Sequence, residues 1–457
     1  MNTIKLLIFI IFLVVMVLMA LNSPLPPALS LLTISLLLAA LILVMMISVE
    51  LPIAILILAM LFSPEISVGA TVSRGIIIRF DDIFIILIFI IWLFKMAVNK
   101  QLGLLRHTSI NLPIWTYIFI CILSSISAFY NGIAQNRILS GAFFILKYLE
   151  YFCVYFFVLN NIKTEKQLKL FYSFLMFTYL AVCVYGYMQI FTFLPSAESG
   201  AFRITAPFEG KPGEPNTLSA YLMLLMSLAL GGFLYENKYR LKLTYLALFL
   251  LGIYPLCYTL SRSGYMGFLT MCVATLLIAR KKIVFLLPVI VILTMLLSYN
   301  LPVQVKNRIS ATFVGKKYSV GDVSIEIDGS ARERVTSYKD VLEKRYPLHP
   351  FLGTGTASTF IDGQYFSVLA ENGLFGLLAF FWIILAIFGI CRKNLILLKK
   401  DNFSQGLIRG FLAGFIGLLV HALSANTFIL IRIMEPFWFI VALIAALPLA
   451  LEKKVSV

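Results

Sequence analysis

Residues 364–390, with the sequence QYFSVLAENGLFGLLAFFWIILAIFGI, decide the class of fold. This stretch contains a single charged residue, Glu371, among long runs of Leu, Ile, Phe and Ala. An α-helix of about 20 apolar residues is long enough to cross the hydrocarbon core of a bilayer. The stretch is therefore predicted to form a transmembrane helix.

The rest of the chain has the same character. Of its 457 residues, 61% are hydrophobic and 13% are charged, whereas a soluble domain averages about 45–50% apolar and about 25% charged residues. This composition excludes a soluble enzyme and predicts an all-α, polytopic integral membrane protein with about 14 transmembrane helices (12–14). The candidate spans are residues 4–21, 28–47, 51–63, 80–98, 112–130, 138–159, 167–193, 216–235, 241–259, 263–279, 283–299, 364–390, 404–428 and 433–451.

The positions of Lys and Arg predict the orientation of these spans. With the N-terminus in the cytoplasm, nineteen basic residues fall on inside segments and seven on the short outside connections. Cytoplasmic segments carry such an excess in membrane proteins. Both termini are therefore predicted to be cytoplasmic.

The spans divide the chain into four regions. Residues 1–70 and 71–299 are predicted to form N-terminal transmembrane helices and a central transmembrane bundle, and residues 364–457 the C-terminal transmembrane helices. Residues 300–363 are predicted to form one long extracytoplasmic loop. Within it, SARERVTSYKDVLEKRY (330–346) is typical of a short amphipathic helix with Val335, Tyr338 and Leu342 on one apolar stripe.

Common motifs of soluble active sites are missing from the sequence. It contains no GxxxxGK[ST], HExxH, CxxC or DxD motif. The six cysteines lie within or at the edge of apolar segments, in no metal-binding spacing. We therefore predict no metal and no cofactor. A nucleic-acid partner is not expected either, because the positions of the basic residues follow the membrane topology.

Basic residues on the predicted outer side are candidates for binding an anion. Arg203 and Lys211 precede Asn216, which is placed to open a helix. Backbone N–H groups at a helix N-terminus and a guanidinium both favour phosphate oxygens, but the same pattern also fits an ordinary cap of a solvated loop. Arg262 lies at the outer end of an apolar span, where snorkelling and ligand binding are both open.

Three residues are candidates for accepting a proton. Asp362 directly precedes a span, where it is either an N-cap or a base. Glu371 lies more than two turns inside that span, where an unpaired carboxylate costs at least about 2.5 kcal/mol, so we expect it to face a cavity or a cation. His349 is the third candidate because of the pKa of imidazole.

The remaining charges near the spans are interpreted as structural. Lys147 and Glu150 are expected to form an intrahelical pair. Mutual pairing and capping account for the three charged residues that open the fourth span. These three residues are Arg79, Asp81 and Asp82. His421, Arg432 and Glu435 are expected to be packing residues or residues of the membrane interface.

The order of several motifs resembles the O-antigen ligase/polymerase superfamily of bacterial membrane proteins. Together the matching pieces cover roughly residues 75–390. They are RFDDIFIILIFIIWL (79–93), the loop from Gly210 to Asn216, SRSGYMGF (261–268), NRISATF (307–313), HPFLGTGTASTF (349–360) and DGQYFSVLAENGLFGLLAF (362–380).

The resemblance implies metal-independent glycosyl transfer on the outer face of the cytoplasmic membrane of a bacterium. The donor would be a glycan carried on undecaprenyl pyrophosphate, and the acceptor a hydroxyl of a glycan or lipid. Other implied partners are the bilayer and polysaccharide assembly proteins. The implied substrate ligands are Arg203, Lys211, Arg262, Arg332 and Arg334, and the implied base is Asp362 or Glu371.

One departure from the family pattern favours a polysaccharide polymerase. Ligase-type members place a His–Asn pair eleven residues before the Gly that begins GxxG, and here that position holds Asp362–Gly363. An O-antigen ligase acting on lipid A core or another acceptor is the alternative. Cell-wall glycan polymerases of the RodA type are a further possibility within the enzyme class.

Two alternatives come from other classes. A lipid-linked oligosaccharide flippase or other transporter would carry its charges near the bilayer midplane, between repeats. A non-catalytic scaffold would have no need for Glu371 and Arg262 in costly positions.

Overall fold

The computed structural model describes residues 50–70, 75–98, 105–133, 138–193, 202–209, 213–279, 306, 310, 316–320, 323–327, 329–359 and 361–455. The predicted spans 4–21, 28–47 and 283–299 lie outside these residues. So does the candidate ligand Lys211.

The described part of the chain is predominantly helical. Its first helices are α1 (Glu50–Phe62), α2 (Phe80–Val98), α3 (Asn111–Tyr130), α4 (Ile138–Asn161), α5 (Glu165–Phe193), α6 (Pro215–Tyr235), α7 (Tyr239–Tyr258) and α8 (Arg262–Ile278). Then come α9 (Gly329–Asp340), a π-helical turn (Val341–Arg345), α10 (Tyr346–Leu348), α11 (Gln364–Leu397), α12 (Asn402–His421) and α13 (Ile431–Val455).

Among the described helices, eight are long and apolar enough to span a membrane. They are α3 to α7 and α11 to α13, while α1 and α8 are shorter apolar helices. The prediction of a polytopic, helical membrane protein is therefore confirmed. The total of about 14 spans and the cytoplasmic position of the termini stay predictions.

Two antiparallel hairpins are the only strands of the described residues. β1 (Glu65–Ala70) pairs with β2 (Gly75–Arg79), and β3 (Lys316–Val320) pairs with β4 (Val323–Ile327). The first hairpin joins α1 to α2, so that Arg79 directly precedes the helix that carries Asp81 and Asp82.

Helix α6 lies at the centre of the bundle and is buried over nearly its whole length. Its close neighbour is α12, and glycines line the contact. A Cβ added at Gly231 would lie 2.2 Å from the carbonyl oxygen of Gly406. Small residues allow such close backbone approach between membrane helices, which is why this pair packs tightly.

Helix α11 is broken at Gly373, where φ is 64° and ψ is −164°. Carbonyls of Pro350 and Phe351 accept hydrogen bonds from the backbone N–H groups of Leu374 (2.8 Å) and Phe375 (3.2 Å). The segment 349–359 therefore docks into the break. Broken helices are tolerated in membranes where protein groups satisfy the freed backbone, as happens here.

The carbonyls on the other side of the break are satisfied too. Thr354 N donates to Ala370 O (3.0 Å), and Gly355 N to Glu371 O (2.9 Å). The hydroxyl of Ser124 on α3 also donates to Glu371 O (2.7 Å). This arrangement makes residues 364–372 a short separate helix whose start carries Asp362.

One predicted span boundary and one predicted apolar stripe were wrong. The span predicted at 404–428 ends as a helix at His421, because residues 422–430 turn back to pair with the start of α11. In the loop helix, the π-helical turn shifts the apolar face, so Val341 is fully buried and Leu342 is 49% exposed. Of the predicted stripe, Tyr338 is half-buried, whereas Val335 is exposed like Leu342.

Candidate functional site

A half-exposed ion pair lies at the start of α11. The guanidinium of Arg334, on α9, donates to Asp362 Oδ2 from Nη2 (3.2 Å) and from Nε (3.3 Å). The side chains are 25% and 43% exposed. The two predicted residues are thus brought together where water and a substrate can reach them, and Oδ1 of Asp362 is not engaged by Arg334.

The neighbouring residues hold this pair in place. Tyr338, one turn after Arg334, stacks on Phe366 with ring centroids 4.1 Å apart, and its hydroxyl donates to Leu423 O (2.8 Å). Gly363 has φ of 126°, and a Cβ there would lie 2.6 Å from the Tyr338 hydroxyl. A glycine after Asp362 is therefore required for α9 to approach the start of α11.

The turn after α12 joins the same place. Gln364 N donates to Ala422 O (2.9 Å), and Phe428 N donates to the side chain of Gln364 (2.9 Å). Asn426 donates from its side chain to Ile361 O (2.8 Å). The turn and the start of α11 thus form one hydrogen-bonded unit beside the Arg334–Asp362 pair.

A row of polar side chains runs from this turn to the start of α8, and we call it the polar row. Its members are Thr427, His421, Ser219, Asn216 and Ser261. His421 Nδ1 lies 2.7 Å from Thr427 Oγ1 and its Nε2 lies 3.4 Å from Ser219 Oγ. Ser219 Oγ donates to Asn216 O (2.9 Å), and Ser261 Oγ to Asn216 Oδ1 (2.7 Å).

The polar row brings two helix N-termini together. Helix α8 is capped by Ser261, whose hydroxyl accepts from Gly264 N (3.1 Å), and α6 begins with Pro215 at its first turn. Helix N-termini carry partial positive charge. Arg262, in the first turn of α8, is half-buried beside them, so the region favours an anion.

Arg203 supports the turn that precedes α8. Its Nε donates to Thr259 O (3.0 Å) and its Nη2 to Leu260 O (3.3 Å). Leu260 has φ of 48°, a conformation that costs a non-glycine residue free energy. These bonds place Arg203 as a support of the Leu260–Ser261 turn, next to Arg262.

The other sequence candidates lie apart from the Arg334–Asp362 pair. Arg332 is exposed and two residues from Arg334, hence on a different face of α9. His349 is partly exposed where the segment 349–359 begins. Glu371 is 1% exposed and lies beside the break in α11, where Ser367 Oγ is 3.4 Å from its Oε1. The expectation that Glu371 faces a cavity or a cation stays a prediction.

A second set of ionisable residues is enclosed between β2, α2, α4 and α13. We call it the buried ion cluster, and it consists of Arg79, Asp81, Asp82, Lys147, Glu150 and Glu435. Arg79 Nη2 lies 2.7 Å from Asp81 Oδ2 and 3.2 Å from Glu435 Oε1. Burial by itself would lower the pKa of Arg79, but the surrounding carboxylates raise it above its ordinary value.

Helix α4 contributes the remaining contacts of the buried ion cluster. Lys147 Nζ lies 3.0 Å from Glu150 Oε2 and also forms an ion pair with Asp82. The predicted Lys147–Glu150 pair and the pairing of Arg79 with Asp81 and Asp82 are confirmed. The sequence did not predict that these groups and Glu435 meet in one cluster, because they come from segments far apart in the chain.

Arg432 links the buried ion cluster to the loop that contains Arg203. It lies one turn before Glu435 on α13, and its Nε donates to Glu65 Oε1 (3.1 Å). Its other nitrogens donate to backbone carbonyls of Leu61, Ser63 and Pro207. The bond to Pro207 holds the 202–209 segment against the end of α1.

Among the described residues, Asp81, Asp82 and Glu435 form a group of carboxylates that could hold a metal ion. One oxygen of each lies within 4.8 Å of the others. Arg79 Nη2 is within 3.7 Å of an oxygen of all three. The guanidinium therefore occupies the position that a bound cation would take, and we assign no metal there.

Residues 246–381 match the family model of the O-antigen ligases. The match supports the O-antigen ligase/polymerase superfamily. It covers the later part of α7, all of α8, α9 and α10, and the first half of α11, and so includes Arg262, Arg334 and Asp362. No curated protein matches the chain. This similarity and the membrane helices favour a bacterial inner membrane as the location and lipid-linked glycans as substrates.

Proposed function

We propose that the chain is a polysaccharide polymerase that uses a glycan linked to undecaprenyl pyrophosphate. The observation that carries this proposal is the half-exposed Arg334–Asp362 pair at the start of α11. It lies within the region that matches the O-antigen ligases. The Asp362–Gly363 sequence, which stands where the ligases resembled here have His–Asn, favours the polymerase over the ligase.

In the proposed reaction, the acceptor hydroxyl attacks the anomeric carbon of the donor glycan. Asp362 accepts the hydroxyl proton as the new glycosidic bond forms. The bond between the anomeric carbon and the pyrophosphate oxygen breaks, and undecaprenyl pyrophosphate leaves with the electron pair. A single displacement predicts inversion at that carbon.

Positive charge on the protein would stabilise the departing pyrophosphate. Arg334 and Arg262 are proposed to contact it, assisted by the N-termini of α6 and α8. Arg203 is proposed to contribute by supporting the turn before Arg262. Lys211 and Arg332 stay proposed substrate ligands from the resemblance, and Glu371 stays the alternative base. The reaction needs no metal in this proposal.

The test is polymerisation by the purified protein in liposomes, with undecaprenyl-pyrophosphate-linked repeat units and no nucleotide sugar. A ladder of longer glycans on a gel is the expected result. Asp362→Asn and Arg334→Ala should each lower the rate by about 10²-fold or more. Lys339→Ala is the matched control, because Lys339 is an exposed cation of the same helix.

Other outcomes separate the alternatives. Transfer of one glycan to a lipid A core acceptor, without a ladder, would identify a ligase. Movement of the labelled lipid-linked glycan across the bilayer without any bond formation would contradict the enzyme and favour a flippase.

A further inference from the structure

The buried ion cluster carries an excess of acidic groups. It contains two cationic side chains, Arg79 and Lys147, and four carboxyl groups. With every group ionised, its net charge would be −2. All six side chains are at most 7% exposed. An uncompensated charge is very costly in such an enclosed place, so something must neutralise it.

Carboxyl oxygens without a hydrogen-bond partner in the protein show where the negative charge of the cluster is not compensated. Five carboxyl oxygens of the cluster are buried and have no hydrogen-bond partner in the protein: Asp81 Oδ1 and Oδ2, Asp82 Oδ1, Glu150 Oε1 and Glu435 Oε2. Every carboxyl group of the cluster contributes at least one of them. Native proteins leave few buried polar atoms without a partner, and a proton bound to one of two neighbouring carboxyl groups supplies the missing donor.

The four carboxyl groups are arranged as two neighbouring pairs. Asp82 and Glu150 both contact Lys147 Nζ, so their carboxyl groups lie side by side. Asp81 and Glu435 both contact Arg79 Nη2, and an oxygen of each lies within 4.8 Å of the other. An ionised carboxylate only accepts hydrogen bonds, so a bond between two carboxyl groups requires a proton on one of them.

We propose that the buried ion cluster is a proton-binding site that holds two protons. One proton is shared by Asp82 and Glu150, and the other by Asp81 and Glu435. Two protons cancel the charge of −2 and supply a donor for each pair of facing carboxyl groups. The cluster then joins β2, α2, α4 and α13 without a net charge. This inference does not depend on the proposed function.

Within the part of the chain that the structure describes, the neighbouring ionisable groups do not supply the missing charge. Arg432 is bonded to Glu65 and to three backbone carbonyls. Its charge also acts on Glu209 in the adjacent loop. On α4, the ionisable neighbours of Glu150 are Tyr151 and Cys153, and both are neutral. Ser63 donates no charge, and its hydroxyl accepts from Asp81 N (3.1 Å).

A divalent cation would balance the same charge, and it is the rival explanation. The geometry favours protons, because Arg79 Nη2 already lies within 3.7 Å of Asp81, Asp82 and Glu435. A metal ion bound to these oxygens would lie beside a guanidinium in an enclosed region, where solvent screens the repulsion only weakly.

Infrared spectroscopy of the full chain in detergent is the first test. A protonated carboxyl group has a carbonyl stretch that an ionised one lacks, and this band shifts in D₂O. At neutral pH the band should be present, and Glu150→Gln and Glu435→Gln should each reduce its intensity. Glu343→Gln, an exposed glutamate paired with Lys339, is the matched control and should leave it unchanged.

The second test measures how unfolding depends on pH. The folded protein would hold two protons that the unfolded chain releases above the ordinary carboxyl pKa of about 4. Stability therefore falls as pH rises, until the cluster itself ionises. Each bound proton makes the equilibrium constant of unfolding rise up to about tenfold per pH unit. In Glu150→Gln, the equilibrium constant of unfolding should depend less steeply on pH, by the contribution of one bound proton.

Two results would overturn the proposal. The first is a band and a pH slope that are the same in the unmutated protein, Glu150→Gln and Glu435→Gln. The second is an increase in the unfolding temperature with Mg²⁺ or Ca²⁺ that EDTA reverses and the two Gln variants abolish, because a metal would then provide the charge.

Discussion

The buried ion cluster and the Arg334–Asp362 pair lie at the same end of the helical bundle, but only the pair is open to water. The side chains of the cluster are at most 7% exposed, whereas those of Arg334 and Asp362 are 25% and 43% exposed. Both contain an arginine that contacts carboxylates. They differ in what happens when a contact is lost.

Inside the bundle, an ion that loses its partner has no water to replace it. Breaking a buried pair by removing one partner costs about 3–5 kcal/mol. A partly exposed pair contributes less than about 1 kcal/mol, because water and salt screen it. The Arg334–Asp362 pair can therefore exchange its contact for a substrate without unfolding the protein, and the cluster cannot.

The largest effect is expected from Arg79→Ala. The substitution leaves Lys147 as the only cationic side chain of the cluster for its four buried carboxyl groups. The free energy of unfolding should therefore fall by about 3–5 kcal/mol. Thermal unfolding in detergent and the yield of folded protein measure the change. Arg334→Ala is the control on the exposed side. If Arg79→Ala unfolds at the same temperature as Arg334→Ala, burial does not distinguish the two regions.

Gly373→Ala tests whether backbone geometry holds the exposed pair in position. Gly373 has φ of 64°, and a Cβ there would lie 2.4 Å from the carbonyl carbon of Phe351. We expect a loss of stability of about 1–3 kcal/mol, since the backbone must distort, together with lower polymerisation activity. Gly389→Ala on the same helix has open space around its Cβ and should change stability by less than about 1 kcal/mol.

The intermediate case is Glu209, which lies near Arg432 and Glu65. Burial raises the pKa of Glu209 to about 7, although the charge of Arg432 opposes the shift. The folded protein thus holds a proton that the unfolded chain releases, and this contribution to stability is lost as pH rises through about 7. Glu209→Gln should raise the unfolding temperature by about 1–2 °C at pH 8 relative to the unmutated protein. An equal difference at pH 5 and pH 8 would contradict the assignment.

The smallest effect is expected for the coupling between Arg334 and Asp362. A double-mutant cycle of Arg334→Ala and Asp362→Ala should give a coupling below about 1 kcal/mol in the free energy of unfolding. High salt should reduce it further. A coupling as large as that expected in the cluster would make the pair a structural element and weaken its proposed role with substrate.

Much of the fold could be predicted because each membrane-spanning helix appears in the sequence as a continuous run of apolar residues. Apolar runs predicted helices at the positions of α1 to α8 and α11 to α13. The break in α11 could not be predicted from its hydrophobicity. Gly373 was visible in the sequence, but only the docked segment 349–359 shows where the freed backbone groups are bonded.

The candidate site was predicted less completely than the fold. Arg334 and Asp362 were both named from the sequence, but their contact depends on the position of α9 over the start of α11. The polar row was missed. His421 was interpreted as a packing residue, and nothing in the spacing of the sequence connects it to Ser219 or Asn216.

The sequence alone determined the class of the protein. Its residues are 61% hydrophobic and lie in runs long enough to cross a membrane as helices, and helices are one of the two structures that satisfy every backbone polar group within a bilayer. It also determined which charged residues would be costly. The tertiary structure decided which of those charges face each other. That outcome depends on the packing of helices distant in the chain, and hydrophobicity along the chain does not encode which helix faces which.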